Sequence, residues 1–233
     1  MRSKRCCLTL LFCTVLAVIM SCARSNVHVD DAFALRPGDL LFQDLDCGDL
    51  CDAIETVTQG VDGAKFSHVG MVSDARQGRV RVIEAIGAGV VETSLDDFLN
   101  RSANGDGTSR VLVGRIEGPQ ARLIPGAIRA ARSFRGLPYD SVYEIDNSSF
   151  YCSELIYEAF RQANDGTPIF ELAPMTFKDP LSGATFPAWV DYYRKLNIAV
   201  PEGEPGLNPG GMSRAPFVRI VHAYGRPDGW TGD

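Results

Sequence analysis

Residues 149–163 carry the strongest periodic signal in this chain. Cys152, Leu155, Ile156, Ala159 and Phe160 recur at i, i+3, i+4, i+7 and i+8, the spacing that places them on one face of an α-helix. A helix with one apolar face needs a second layer to bury it. Short strand-like segments supply that layer. Leu40-Leu41-Phe42 follows the turn at residues 36–39, and residues 67–73, 79–85 and 89–92 succeed one another with Gly-containing turns. Residues 111–116 and 217–223 add two more. Ser94 before Leu95-Asp96-Asp97-Phe98-Leu99 predicts a capped helical turn, with acids at its positive end. Further helices are predicted over 50–59, over 124–134 with Pro125 at its start, and over 187–196. Residues 201–211 read as a Pro/Gly-rich loop. The predicted class is α+β, a mostly antiparallel sheet packed against helices.

The N-terminus has the layout of an export signal. Arg2, Lys4 and Arg5 precede an apolar run from Leu8 to Met20. At about 13 residues, that run is too short to cross a bilayer comfortably as a helix. Ile19-Met20-Ser21-Cys22 resembles the lipobox of bacterial lipoproteins, which implies cleavage before Cys22 and lipidation of that residue. The expected organisation is a signal over 1–21, a lipidated tether over 22–35, one domain over 36–226 and a tail over 227–233. The expected location is the cell envelope, anchored to a membrane and facing the periplasm. Without the signal's three basic residues, the 23 Lys and Arg fall to 20 against 29 Asp and Glu, a net charge of −9. Such an acidic chain lacks the clustered cations that nucleic-acid binding requires.

Beyond Cys22 the cysteines are Cys47, Cys51 and Cys152. Cys47 and Cys51 read equally as a short-loop disulfide in an oxidising compartment or as two unpaired thiols near a helix start. No second Cys/His pair follows at metal-site spacing. Cys152 stands alone in the first turn of the predicted helix, where Asp146-Asn147-Ser148-Ser149 offers capping side chains. Unsatisfied N–H groups and the helix dipole favour negative charge there, which suits a thiolate nucleophile. Taken singly, it reads as a small core residue. Of the histidines, His28 falls in the tether and His222 in the closing strand. His68 shares a strand face with Gly70 and Val72, and the glycine leaves room beside the imidazole. A histidine next to a cysteine takes the sulfur's proton and returns it to the leaving group. Glu84 shares the apolar face of the next strand with Val80 and Val82 and needs a partner there. Pairing of the two strands as a hairpin brings Glu84 to the outer ring nitrogen of His68. Glu154, just after the nucleophile, reads first as a helix-surface glutamate and second as a group that meets a substrate amine.

Five short motifs occur in a fixed order: Arg36-Pro37-Gly38-Asp39-Leu40, Ser67-His68-Val69-Gly70, Ile83-Glu84-Ala85, Gly136-Leu137-Pro138-Tyr139-Asp140 and Tyr151-Cys152-Ser153-Glu154-Leu155. Together they resemble the circularly permuted branch of the NlpC-type papain-like cysteine hydrolases, the YiiX/YaeF-like group. The histidine strand preceding the cysteine helix is the order of that branch. The resemblance covers residues 36–160. It implies a papain-like core and hydrolysis of an amide bond, with Cys152 as nucleophile, His68 as base and Glu84 as orienter. It also implies Tyr139 or Tyr151 as site-shaping or oxyanion-binding groups, joined by the N–H of Cys152, and no metal or organic cofactor. The implied partner is a peptide or another amino-acid-containing amide, such as a cell-wall peptide. A membrane-proximal lipid amidase or acyltransferase, and a non-catalytic binding lipoprotein of the same fold, are the competing readings. An apolar groove beside Cys152 favours the lipid amidase, and a polar cleft with charged anchors favours the peptidase. A thiol-disulfide oxidoreductase would need a Cys-x-x-Cys motif, which is absent.

Overall fold

The computed structural model describes residues 33–76 and 78–232. The signal, Cys22 and His28 lie outside the described residues. The strands are β1 (Leu40–Gln43), β2 (His68–Arg76), β3 (Arg79–Ile86), β4 (Gly89–Ser94), β5 (Val111–Ile116), β6 (Ala173–Pro174), β7 (Pro205–Gly206) and β8 (Val218–Ala223). The helices are α1 (Asp49–Val57), α2 (Leu95–Asn100), α3 (Ile124–Ser133), α4 (Cys152–Ala163), α5 (Pro187–Leu196) and α6 (Pro209–Ser213). Six strands form one antiparallel sheet in the order β4-β3-β2-β1-β5-β8. The fold is therefore the expected α+β arrangement, a mostly antiparallel sheet packed against helices.

Side-chain alternation along the strands divides the core in two. Leu40, Phe42, Val69, Met71, Ile83 and Ala85 face α3 and α4, whose Ala127, Ala131, Leu155, Ile156 and Phe160 are buried against them. Leu41, Val72, Val82, Val111 and Val113 face the other way, onto Leu95, Phe98 and Leu99 of α2. Fully burying each such side chain is worth about 1.5–3 kcal/mol, so the helix stripe and the strand alternation reinforce each other. A third cluster packs Ala53 of α1 against Phe177, Trp189 and Tyr193, and so joins α5 to the domain.

Local chemistry sets the ends of these elements. Ser94 caps α2 by accepting the N–H of Asp97 at 3.1 Å, as its sequence predicts. The expected caps of α4 do something else. Asn147 accepts both the N–H and the hydroxyl of Ser149 in a tight local turn, and the helix starts at Cys152 with Tyr151 as N-cap. Residues 201–211 are not a plain loop. Pro205–Gly206 pairs with Ala173–Pro174, and α6 is capped by the Asn208 side chain, which accepts the Gly211 N–H at 2.7 Å.

Cys47 and Cys51 form a disulfide across the start of α1, which resolves the open choice between bridge and free thiols. Residues 33–35 and 227–232 are packed onto the domain. Leu35 is buried, the Asp228 N–H donates to Asp44 and the Thr231 N–H donates to the Asp62 carbonyl. Among the described residues no helix is long and apolar enough to cross a membrane.

Candidate active site

β2 and β3 place His68 and Glu84 together. They pair through Met71 with Ile83 and Val72 with Val82, so the next pair in that register sets Gly70 opposite Glu84. Both His68 and Glu84 then lie on the face covered by α2. A Cβ on Gly70 would sit 2.6 Å from Val82 Cγ1 and 2.9 Å from Phe98 Cε2. Glycine is thus what lets α2 close over this part of the sheet. His68 Nε2 lies 2.7 Å from Glu84 Oε2. That contact commits Nε2 and leaves Nδ1 for Cys152, which is near enough to help raise the imidazole. Cys152 arrives from the far side of the sheet. Because His68 is the first residue of β2, the start of α4 meets it at the strand end.

All three side chains are buried, at 7 % exposure for Cys152, 5 % for His68 and none for Glu84. Burial disfavours a charged imidazole. Interactions with Cys152 and Glu84, and their negative charges, outweigh it and raise His68 to about 9. Burial likewise works against ionisation of Glu84. Bonds from His68 and Thr93 and the positive charges of His68 and Arg101 hold it below its ordinary value instead. Thr93 Oγ1 donates to Glu84 Oε1 at 2.5 Å, and the Arg101 guanidinium contacts Oε2. Arg101 also lies with its guanidinium carbon 5.0 Å from the Phe98 ring centroid. Sequence reading missed Thr93 and Arg101. Their only local signal is position, one at the end of β4 and one just past α2.

Tyr139 reaches the site through backbone pairing. The Val90 N–H donates to the Leu137 carbonyl and the Gly136 N–H to the Val90 carbonyl, each at 2.9 Å. Gly89, at φ 93°, permits this contact, since a Cβ there would lie 2.3 Å from the Leu137 oxygen. Tyr139 then bridges to Phe150, two residues before Cys152. Burial, followed by the charges of neighbours that include Tyr143 and Cys152, raises Tyr139, so its phenol stays protonated. Tyr143, absent from the sequence reading, is held at φ 62°, an uncommon conformation for a bulky residue. The buried Asp140 carboxylate fixes this loop by accepting the N–H groups of Val142 and Glu144, both at 2.8 Å.

Tyr151 and Ser153 flank the cysteine and bind a distant segment. Tyr151 Oη accepts the Leu207 N–H at 3.3 Å, and Ser153 Oγ donates to the Leu207 carbonyl at 3.0 Å. His222 is remote from this cluster and stacks on Phe33.

Glu154 is not a surface residue. It is 3 % exposed, and its carboxyl accepts the Tyr151 N–H at 3.3 Å. Asp140 and Asp146 of the preceding loop lie near enough to act on its charge. Burial raises Glu154 to about 8, aided by the charges of Asp140, Glu158 and Asp146 against the Tyr151 bond. A carboxyl raised on folding adds stability below its ordinary value of 4.5, and that stability is lost as pH rises through about 8. Urea unfolding should therefore show stability falling between pH 5 and pH 8, with a clearly flatter profile in Glu154→Gln. An identical slope in the variant would show that Glu154 does not bind the extra proton.

A cleft of about 660 Å³ opens beside Cys152, bordered by Tyr139, Tyr143, Tyr151 and Ser153. The geometry suits acyl transfer: a sulfur paired with a histidine, the histidine oriented by a carboxylate, and phenol and helix-start N–H donors beside the sulfur.

The comparisons with known proteins agree with this architecture. A sequence profile described as the permuted papain-like amidase enzyme, YaeF/YiiX, matches residues 34–222. Among solved structures, YiiX from Escherichia coli superposes with a TM-score of 0.66 at 25 % identity, covering 84 % of this chain and 100 % of that one. No curated protein sequence matches significantly. YiiX is described as a metalloprotein. Among the described residues here, no three His, Cys, Asp or Glu side chains are gathered so as to hold a metal ion. With its fold shared and its profile matched over most of its length, this protein belongs to the permuted papain-like amidase family of YaeF and YiiX.

Proposed function

We propose that this protein is a cysteine hydrolase that cleaves an amide bond through a thioester on Cys152. The observation that supports this most directly is the buried cluster of Cys152, His68 and Glu84, with His68 hydrogen-bonded to Glu84 and Cys152 lining a cleft. His68 takes the thiol proton of Cys152 as the sulfur attacks the amide carbonyl carbon, and it delivers that proton to the departing amine as the C–N bond breaks. Water then attacks the thioester with His68 as base, releasing the acid and restoring the thiol. Glu84 holds the imidazole in the tautomer that presents Nδ1 to sulfur. The Cys152 N–H and the Tyr139 phenol stand as donors to the oxyanion, and Tyr151 shapes the wall.

Cell-wall peptides or other amino-acid-containing amides are one substrate class, and membrane-proximal acyl amides are the other. An acyltransferase would follow the same route with an amine or alcohol in place of water. The proposed setting is the cell envelope, with the chain anchored through lipid on Cys22. Incorporation of a palmitate analogue in wild type but not in Cys22→Ala would support that anchor, and equal incorporation would remove it.

Intact-mass labelling with iodoacetamide tests the chemistry. Rapid modification of Cys152 is expected, slowed strongly by His68→Ala, together with accumulation of a thioester adduct on incubation with a slow amide substrate. Labelling indifferent to His68, without any adduct, would favour a binding protein of this fold.

A further inference from the structure

Glu84 has no solvent exposure, and side chains from three elements hold its carboxylate. Thr93 of β4 donates to Oε1 at 2.5 Å. His68 of β2, at 2.7 Å, and the guanidinium of Arg101, just past α2, meet on Oε2. Cys152 of α4 acts on the same imidazole. Cys152, His68 and Glu84 titrate, whereas Arg101 carries a fixed charge. Gln43 of β1, the cross-strand neighbour of His68, adds no charge.

The position of Arg101 is fixed by buried polar bonds. α2 has six residues, too few to be stable as an isolated helix. Gln43 Nε2 donates to the Phe98 carbonyl at 2.6 Å and to Ser102 Oγ at 2.9 Å, and Ser109 Oγ donates to the Leu99 carbonyl at 2.8 Å. Both carbonyls belong to the last turn of α2, where partners within the helix run out. Their capture anchors the segment from which Arg101 extends. The Phe98 ring lies between neighbours, 5.0 Å from the Arg101 guanidinium carbon and 5.8 Å from the His68 ring, centroid to centroid. The Arg101 side chain is 30 % exposed, so it keeps its charge without the cost of full burial. It does not border the cleft, so a change there leaves the space for substrate intact.

We infer that Arg101 is a positioning residue that holds the Glu84 carboxylate on His68 and keeps it charge-balanced while the imidazole is neutral. This rests on the proposed cysteine hydrolase reading and adds a group that acts through Glu84. In that cycle His68 is cationic after taking the thiol proton and neutral after giving it to the amine. Beside a neutral imidazole, a fully buried carboxylate has lost one counter-charge, and an unpaired buried charge is costly. A guanidinium stays protonated throughout. Without it, His68 could release its proton only by leaving Glu84 unpaired, so the imidazolium would hold that proton more tightly. Removing Arg101 therefore acts on His68 in the direction opposite to removing the charge of Glu84.

The test is an NMR titration of the whole protein carrying isotope-labelled histidine, with the His68 signal assigned by its loss in His68→Ala. In wild type His68 is expected to titrate at about 9. Arg101→Gln keeps a donor for Glu84 but removes the charge, and its midpoint should rise by about one pH unit. Arg101→Lys keeps the charge and should hold the midpoint close to wild type. Arg101→Met is the second charge-free variant, and circular dichroism confirms which variants are folded. A merely structural role would lower the melting temperature and leave the midpoint in place. An unmoved or lowered midpoint in the folded charge-free variants, or a midpoint in Arg101→Lys as high as in Arg101→Gln, would overturn the role of Arg101. Rapid, His68-dependent iodoacetamide labelling of Cys152 would in that case leave the hydrolase reading standing. Labelling indifferent to His68 would remove that reading and the role of Arg101 with it.

Discussion

Cys152→Ala is expected to lower amide hydrolysis by about 10⁴-fold or more, His68→Ala by a similar factor, and the double variant by no more than the worse single one. The reason is that the two side chains perform one step. Without the sulfur no thioester forms, and without the imidazole nothing takes the proton from sulfur or delivers one to the departing amine. Groups that act as a unit show this non-additivity, while binding and oxyanion donors leave a residual rate. Cys152→Ala removes only the sulfur and leaves the backbone and Cβ in place, so its melting temperature should stay close to wild type. Single-turnover and steady-state rates on a common amide substrate decide the matter. Multiplying losses in the double variant, or a Cys152→Ala enzyme that still turns over, would show that the two residues do not share the chemical step.

Glu84→Gln carries the second large effect. Glutamine keeps the shape and an acceptor for His68, but it removes the charge that also satisfies Arg101 and Thr93. A rate loss on the order of 10²–10⁴ is expected, the scale on which the orienting carboxylate of a comparable triad acts. The pH dependence makes the result specific. His68 must carry a proton to release the amine, and it is held at about 9. Activity that depends on that proton is therefore present at neutral pH and lost as pH rises through about 9. Loss of the Glu84 charge takes away one of the groups that raises His68, so the alkaline limb should move to lower pH in Glu84→Gln. An unmoved limb would mean that Glu84 serves structure alone. Glu84→Ala is less informative, because it leaves Arg101 facing an empty buried site, and breaking a buried ion pair costs about 3–5 kcal/mol of stability.

Most of the scaffold around this site follows from local pattern. The apolar stripe of α4, the alternation through Val69 and Met71 on one face and Gly70 and Val72 on the other, and the Ser94 cap each depend on neighbours a few residues away. Helix and strand periods therefore disclose them in a single chain. The hairpin of β2 and β3 is equally legible, since a short Gly-containing turn fixes the pairing, and with it comes the meeting of His68 and Glu84. The order of His68 before Cys152 marks the permuted branch before any coordinate is known.

Other features depend on contacts that no periodicity encodes. Thr93 and Arg101 reach Glu84 because β4 lies beside β3 and α2 folds back across the sheet. Glu154 is buried at a helix position that looks solvent-facing in isolation, with Asp140 and Asp146 of a preceding loop near enough to act on its charge. The disulfide required a choice between two readings that spacing left balanced. The cleft is built by residues 169–177 and 205–217, whose side chains show no regular alternation and become a wall only when Ala173–Pro174 pairs with Pro205–Gly206. Sequence by itself determined the layers, the nucleophile helix and the histidine strand, because those are set by burial on a repeating lattice. The tertiary structure alone decided what closes over Glu84 and what lines the cleft, because those contacts join segments far apart in the chain whose meeting depends on the packing of the whole domain.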